Sequence, residues 1–277
     1  MTAQPVNYDP AVRRIDKLDG DAAYALGCAR SYLAAIPGGR NGLVGKTVLE
    51  IGPGPSFATA LILKAWGATT VAVSDRYLVG FDADYHGALY REIANRLLAE
   101  DPTANVKSLE ICAQVGHIQE QVCSRELPLE EMSREFKLFF DITLSNAVLE
   151  HLYSPNQGLA GLYTITAPGG LGLHQVDFRD HRNFDRPLEY LLLDEMSFSY
   201  LFESCHGECG NRVRPFQMTD MFWQTGFREV VFQSNLEALP DYLADFIPRL
   251  RTAKSSLFSD IEEKYLVPIG GRFVIRK

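Results

Sequence analysis

Val48-Leu49-Glu50-Ile51-Gly52-Pro53-Gly54-Pro55-Ser56 is an apolar run that carries one acid and passes straight into a glycine-rich turn. Thr47-Val48-Leu49 is β-prone, and Phe57 to Trp66 (FATALILKAW) repeats apolar residues at helical spacing, so the turn joins a strand to a helix. Gly52 and Gly54 let the backbone bend sharply and come close to a ligand, and the helix that follows offers free N–H groups at its start. The stretch therefore predicts a nucleotide-like ligand. A dinucleotide would place its pyrophosphate there, but the G-x-G-x-x-G register asks for glycine at position 57, where the chain has Phe57.

Further along, Thr69 to Ser74 reads as a second strand ending at Asp75, one strand-helix-strand unit after Glu50. A carboxylate at that tip can accept hydrogen bonds from both hydroxyls of an adenosine ribose, and its plainer reading is a helix N-cap. Phe139 to Leu152 (FFDITLSNAVLEHL) reads as a buried strand followed by a short helix start. Leu162 to Thr166 and then Ala167-Pro168-Gly169-Gly170-Leu171-Gly172-Leu173-His174 read as a helix, a turn and another strand.

Taken in order from residue 47 to about residue 177, these features resemble the class I S-adenosylmethionine-dependent methyltransferase family of the small-molecule type. The loop matches its E/D-x-G-x-G-x-G signature, with Ser56 in place of the third glycine. The resemblance implies an α/β fold with a Rossmann-like sheet, mostly parallel with the last strand antiparallel. It implies S-adenosylmethionine as cofactor, held by Glu50, Gly52, Pro53, Gly54, Asp75 and Arg76, with Ser145 and Asn146 beside its sulfonium end. Two other readings stay open at this point, a nicotinamide-dependent oxidoreductase and a non-catalytic partner subunit that keeps the cofactor pocket.

Around this core, residues 1–40 are expected to form an N-terminal helical segment, its pattern lying within 7–36 and ended by Pro37-Gly38-Gly39. Residues 41–277 form the methyltransferase domain, with cap insertions at about 178–215 and 236–265. Tyr85 to Ala99 reads as a helix, while the third strand has no clear place between Tyr77 and Phe140. Leu188 to Phe202 reads as helical and aromatic, Thr219 to Phe227 as a helix with a glycine stop, and Glu229 to Gln233 as a strand. Leu236 to Glu263 reads as helical and Gly271 to Arg276 as the last strand.

Composition narrows the partners. The 277 residues are 46% hydrophobic, enough to bury a full core, and the net charge of −8 repels phosphate backbones, so no nucleic acid partner is expected. No run is apolar enough for a membrane span, Met1 to Pro5 lacks the layout of a signal peptide, and a cytoplasmic location is expected. Five cysteines fit reduced thiols. In Cys205-His206-Gly207-Glu208-Cys209 the thiolates could share a soft metal with His206, but no second pair completes a site, and no metal is expected.

Methyl transfer from a sulfonium is an in-line displacement in which positioning alone supplies about 7–11 kcal/mol. A hydroxyl acceptor also needs a base, and histidine suits that task near neutral pH. His151 follows the fourth strand, His174 lies inside the fifth, and His181 sits in the polar run Asp177-Phe178-Arg179-Asp180-His181-Arg182. His181, His151 and Asp177 are the expected catalytic residues. His174, Arg179, Asp180 and Tyr200 are the expected substrate contacts, although a histidine within a strand is more often a satisfied core residue. Ser145-Asn146-Ala147-Val148 has neither the proline nor the aromatic of the D/N-P-P-Y motif used on planar exocyclic amines. The expected reaction is methylation of a small molecule in a biosynthetic pathway, at oxygen rather than nitrogen, with the oligomeric state left open.

Overall fold

The structure is a computed structural model that describes residues 15–114, 117–132 and 138–277. The first five residues and the start of the 7–36 helical pattern lie outside the described residues.

Among the described residues seven strands follow the chain as β1 (Thr47–Ile51), β2 (Thr70–Asp75), β3 (Cys123–Glu126), β4 (Phe140–Asn146), β5 (Thr166–Asp177), β6 (Glu229–Glu237) and β7 (Pro268–Arg276). Their order in the sheet is β3-β2-β1-β4-β5-β7-β6. β1, β2 and β3 pair in parallel, and β7 runs antiparallel to both β5 and β6, as the resemblance implies. Among the described residues, helices of eight or more residues are α1 (Leu18–Ala35), α2 (Ala58–Ala65), α3 (Ala83–Glu100), α4 (Pro155–Ile165), α5 (Glu195–Ser204), α6 (Pro215–Thr225) and α7 (Pro240–Thr252). The chain divides into two compact units, one of Met1–Leu129 with Lys137–Leu144, the other of Glu130–Phe136 with Ser145–Lys277.

In the first unit, Val48, Leu49 and Ile51 of β1 and Val71, Ala72 and Val73 of β2 are buried, the continuous apolar run expected of strands covered on both faces. α1 packs on α2 and α3, and its buried Ala22, Ala25 and Ala29 keep that approach close. β3 reads Cys-Ser-Arg-Glu and is only half-buried or exposed. It is an edge strand, so it lacks the apolar alternation that would have placed it from sequence.

In the second unit, two expectations are corrected. The Pro168-Gly169-Gly170 segment is no turn before the strand: β5 starts directly at Thr166, and Gly169, with φ +75°, kinks it so that its N–H reaches the Lys277 carbonyl at 3.0 Å. The second insertion is not helical from Leu236: β6 continues to Glu237, and the helix spans only Pro240–Thr252. Leu188 to Phe202 is helical as expected, in two pieces, a 3-10 turn over Glu189–Leu192 and then α5, which Asp194 starts afresh by accepting from the Ser197 N–H at 2.8 Å.

Residues 188–202 and 243–258 share one hydrophobic core. Leu188, Tyr190, Leu191, Phe198 and Phe202 pack with Leu243, Phe246, Leu250 and Phe258. Burying side chains of this size contributes about 1.5–3 kcal/mol each. Arg186 and Arg249 add ion pairs to Glu189 and Asp245 at the rim of this core.

Candidate functional site

In the first unit, the loop after β1 turns through Gly52 (φ +68°) and Gly54 (φ +66°), a conformation that L side chains rarely adopt. A Cβ added at Gly54 would meet open space, so there the backbone angle is what calls for glycine. The Gly52 N–H donates to the Ser74 carbonyl at 2.8 Å, which pins the loop to β2. Glu50 is 6% exposed, and burial pushes its carboxyl up to about 8, against hydrogen bonds from the Ala60 backbone and the Thr59 side chain. Its Oε2 is buried with no hydrogen-bond partner. Asp75 is half-buried at the tip of β2 beside Arg76, and its Oδ1 accepts from the Tyr77 N–H at 3.1 Å. Burial raises its pKa, and the Tyr77 and Arg76 backbone groups oppose the rise.

Two residues that the sequence did not single out support this loop. His86 accepts from the Asp82 N–H at Nδ1 (2.8 Å) and donates from Nε2 to the Pro55 carbonyl (2.8 Å), which fixes a neutral tautomer. The Tyr90 hydroxyl accepts from the Phe57 N–H at 3.2 Å. Both lie on the buried face of α3, where 3.6-residue spacing marks them only as core. A cavity of about 200 Å³ beside them is lined by Phe57, Phe81, His86 and Tyr90 among others.

In the second unit, Ser145 and His174 are fully buried, and Ser145 Oγ lies 2.8 Å from His174 Nδ1. Burial lowers the His174 pKa to about 3, so the ring stays neutral. Asn146 is half-buried, and Ala147 turns the chain with φ +54° before the short 3-10 turn Leu149–His151. Asp180 is also buried, held by the Arg182 side chain at 2.9 and 2.6 Å. Tyr200 is 78% exposed on α5. His174 and Asp180, expected as substrate contacts, are thus turned inward and engaged by their own neighbours.

His151, Asp177, Arg179 and His181 come together. Arg179 grips Asp177 with Nε at 2.9 Å and Nη2 at 2.6 Å. His181 Nε2 stands 3.7 Å from Asp177 Oδ2, and the His151 and His181 rings are 5.1 Å apart, edge to face. Burial lowers the His181 pKa, opposed by the Asp177 charge. Glu150 joins them. It is 2% exposed, its Oε1 accepts from the Asp177 N–H at 3.0 Å, and its Oε2 is buried without a partner. Burial pushes this carboxyl, too, up to about 8.

The run after β5 is set by Arg214, a fully buried residue that caps α6. Its guanidinium donates to the Phe178 carbonyl (2.8 Å) and the Pro268 carbonyl (2.6 Å), fixing the exit of β5 one residue after Asp177.

A family of methyltransferase domains matches residues 26–231, well over half of the chain. The chain belongs to the class I S-adenosylmethionine-dependent methyltransferases. Membership removes the nicotinamide alternative, and S-adenosylmethionine is the cofactor. No curated protein sequence matches this methyltransferase. Among solved structures it is similar to an S-adenosylmethionine-dependent methyltransferase of Mesorhizobium loti, at 12% identity over 94% of this chain and 100% of that one, TM-score 0.48. It is also similar to a Nostoc punctiforme protein provisionally described as an O-methyltransferase (12% identity, 95% and 59%, TM-score 0.47). A third is Haemonchus contortus phosphoethanolamine N-methyltransferase 2, solved with S-adenosylmethionine (15%, 95% and 59%, TM-score 0.45). The methyltransferase therefore spans under two-thirds of the length of the last two. Among the described residues no helix is long and apolar enough to cross a membrane.

The cofactor carries an ammonium and a sulfonium, two cations, and the buried unpaired Glu50 Oε2 is a group that a cation would satisfy. The residues present therefore fit it. The sequence did not single out Glu150, which the structure brings beside His151 and His181; the one available signal was an acid directly beside His151 after an apolar strand.

Proposed function

We propose that this methyltransferase moves the methyl group of S-adenosylmethionine to a hydroxyl of a small molecule. The observation that carries the reading is the pairing of a half-buried imidazole, His181, with the Arg179-held carboxylate of Asp177 and the His151 ring beside it. When bound, the cofactor supplies an electrophilic methyl on sulfur, and the C–S electron pair leaves with the sulfur. Glu50, Gly52, Pro53, Gly54, Asp75 and Arg76 hold it in this reading, with Asp75 taking the ribose hydroxyls and the aromatic cavity offering faces for a purine. Ser145 and Asn146 close the end of β4, with Ser145 acting through His174.

On the acceptor side, neutral His181 takes the hydroxyl proton, and Asp177 holds the imidazolium that results. Such general-base help is worth about 10²–10⁴ in rate. Burial keeps His181 unprotonated at neutral pH, the form a base must have. The polar Asp177 to Arg182 run supplies the acceptor's contacts in this reading, while buried His174 and Asp180 act as positioning residues.

The test is methyl transfer from labelled cofactor to a panel of hydroxyl and amine acceptors. A methyl ether as product and a kcat lowered about 100-fold or more in His181→Ala support the reading. Products methylated only at nitrogen, with full activity in that variant, overturn it.

A further inference from the structure

We propose that Glu150, His151 and His181 bind a divalent first-row transition ion, contrary to the metal-free site expected from the sequence. One ligand atom from each of the three lies within 4.8 Å of the others. Around an ion with ligands at about 2.0–2.2 Å the donors would stand roughly 3.4 Å apart, a contraction that side-chain rotation spans.

Three further observations point the same way. His151 Nδ1 lies 2.9 Å from the Gly207 carbonyl, which can only accept, so Nδ1 carries the proton and Nε2 presents a lone pair. That arrangement, with the far ring nitrogen anchored to a carbonyl, is the one metal-bound histidines adopt. Second, Glu150 Oε2 and His181 Nε2 are both buried without a hydrogen-bond partner. Leaving a buried polar group unsatisfied costs about 1–3 kcal/mol, and a cation satisfies both lone pairs at once. Third, the turn carrying Glu150 and His151 is braced. Asn211 donates its N–H to the Glu150 carbonyl at 2.7 Å and its Nδ2 to the Leu149 carbonyl at 2.9 Å.

The neighbours narrow the chemistry. Asp177 is engaged by Arg179 through three side-chain bonds and the Arg179 N–H, which leaves three protein ligands and an open coordination position. Two imidazoles and one carboxylate suit zinc, iron, cobalt or manganese rather than magnesium, which prefers all-oxygen shells. Cys209 of the same loop is a poor competitor, since burial pushes its thiol up to about 12 and so keeps it protonated. Gly207 thereby gives the Cys205 to Cys209 segment a role, as the support of His151.

An acceptor hydroxyl on the open position would be acidified by the ion and lose its proton to water, in place of direct transfer to His181. Only that use of the ion depends on the proposed methyl transfer; its binding does not. The full chain, stripped with a chelator, is titrated with Zn²⁺ by calorimetry and with Co²⁺ by visible absorption, with no acceptor present. One ion per chain and a cobalt d–d band are expected. His151→Ala and His181→Ala should each weaken binding about 100-fold or more, beyond the 10–100-fold typical of outer-shell partners. Cys205→Ser and Cys209→Ser should leave binding unchanged, and each variant is checked for retained S-adenosylmethionine affinity to show that it has folded. The proposal is overturned if no stoichiometric ion binds, if binding survives the paired histidine variant, if it is lost with the cysteines, or if Mg²⁺ competes equally with Zn²⁺. Ion binding without methyl transfer to any acceptor would overturn the proposed function and leave the ion site standing. Methyl transfer by a chain that binds no ion would do the reverse.

Discussion

Glu50 and Glu150 are the same group in nearly the same state, one in each unit. Both lie at or just beyond the carboxyl end of a strand, both have a buried Oε2 without a partner, and burial pushes both up to about 8. Their surroundings differ. Glu50 stands beside a glycine loop and apolar strands, where an organic cation bearing an ammonium or sulfonium suits it. Glu150 stands beside two imidazoles whose lone pairs an organic cation would waste. The same uncompensated carboxylate thus asks for different cations, and the neighbours decide which.

Several measurements can break or sharpen that contrast. Asp75→Ala should have the largest effect, weakening S-adenosylmethionine binding on the order of 100-fold in calorimetry, because charge-assisted hydrogen bonds are worth about 1.5–3 kcal/mol each. Unchanged affinity would sink the ribose assignment.

Glu50→Gln should weaken the cofactor by roughly tenfold or more while stabilising the apo chain, since the amide carries no charge to bury. The sign for the native glutamate follows from its raised folded pKa. The unfolded chain has lost this proton above about 4.5, whereas the folded chain keeps it up to about 8. The Glu50 contribution to apo stability is therefore fully present below 4.5 and falls as pH climbs toward 8, by on the order of a few kcal/mol. Cofactor affinity should rise over that interval as the carboxylate forms. Chemical unfolding of Glu50→Gln should show a flatter pH profile; an identical profile would mean that Glu50 is not the group.

His86→Ala removes the bond to the Pro55 carbonyl and should cost about 1 kcal/mol, roughly fivefold in cofactor affinity. Smallest of all, Glu150→Gln should leave cofactor affinity within about twofold, since that carboxyl is assigned to the two imidazoles beside it and not to the cofactor. A loss there as large as that of Glu50→Gln would erase the distinction between the two acids.

Much of this was legible in the sequence, and the exceptions share a cause. Val48 to Gly54, Asp75 and the last strand follow local patterns of hydropathy and glycine, which sequence displays directly, while the antiparallel direction of that strand came only from the family resemblance. β3 escaped because an edge strand need not be apolar, and Cys123-Ser124-Arg125-Glu126 carries no period-two signal. The kinked start of β5 escaped because Pro-Gly-Gly spells a turn locally, while pairing with the chain end continues the strand. At the site, His181, Asp177 and Arg179 were visible as a polar run too charged for a core. Glu150 was not, because its meaning comes from burial and from the Asp177 N–H 27 positions away. The inward turn of His174 and Asp180 likewise depends on distant partners or enclosure, which no local pattern records.

The core shared by residues 188–202 and 243–258 limits how this protein could be re-engineered. Phe198 and Phe202 come from one segment and Phe246 and Leu250 from another, and they bury each other. A chimera that grafts only the first segment from a relative would expose the apolar face of the second, and aggregation rather than altered selectivity would be its phenotype. Recombination at this end of the molecule has to carry both segments together, as a matched pair of parts.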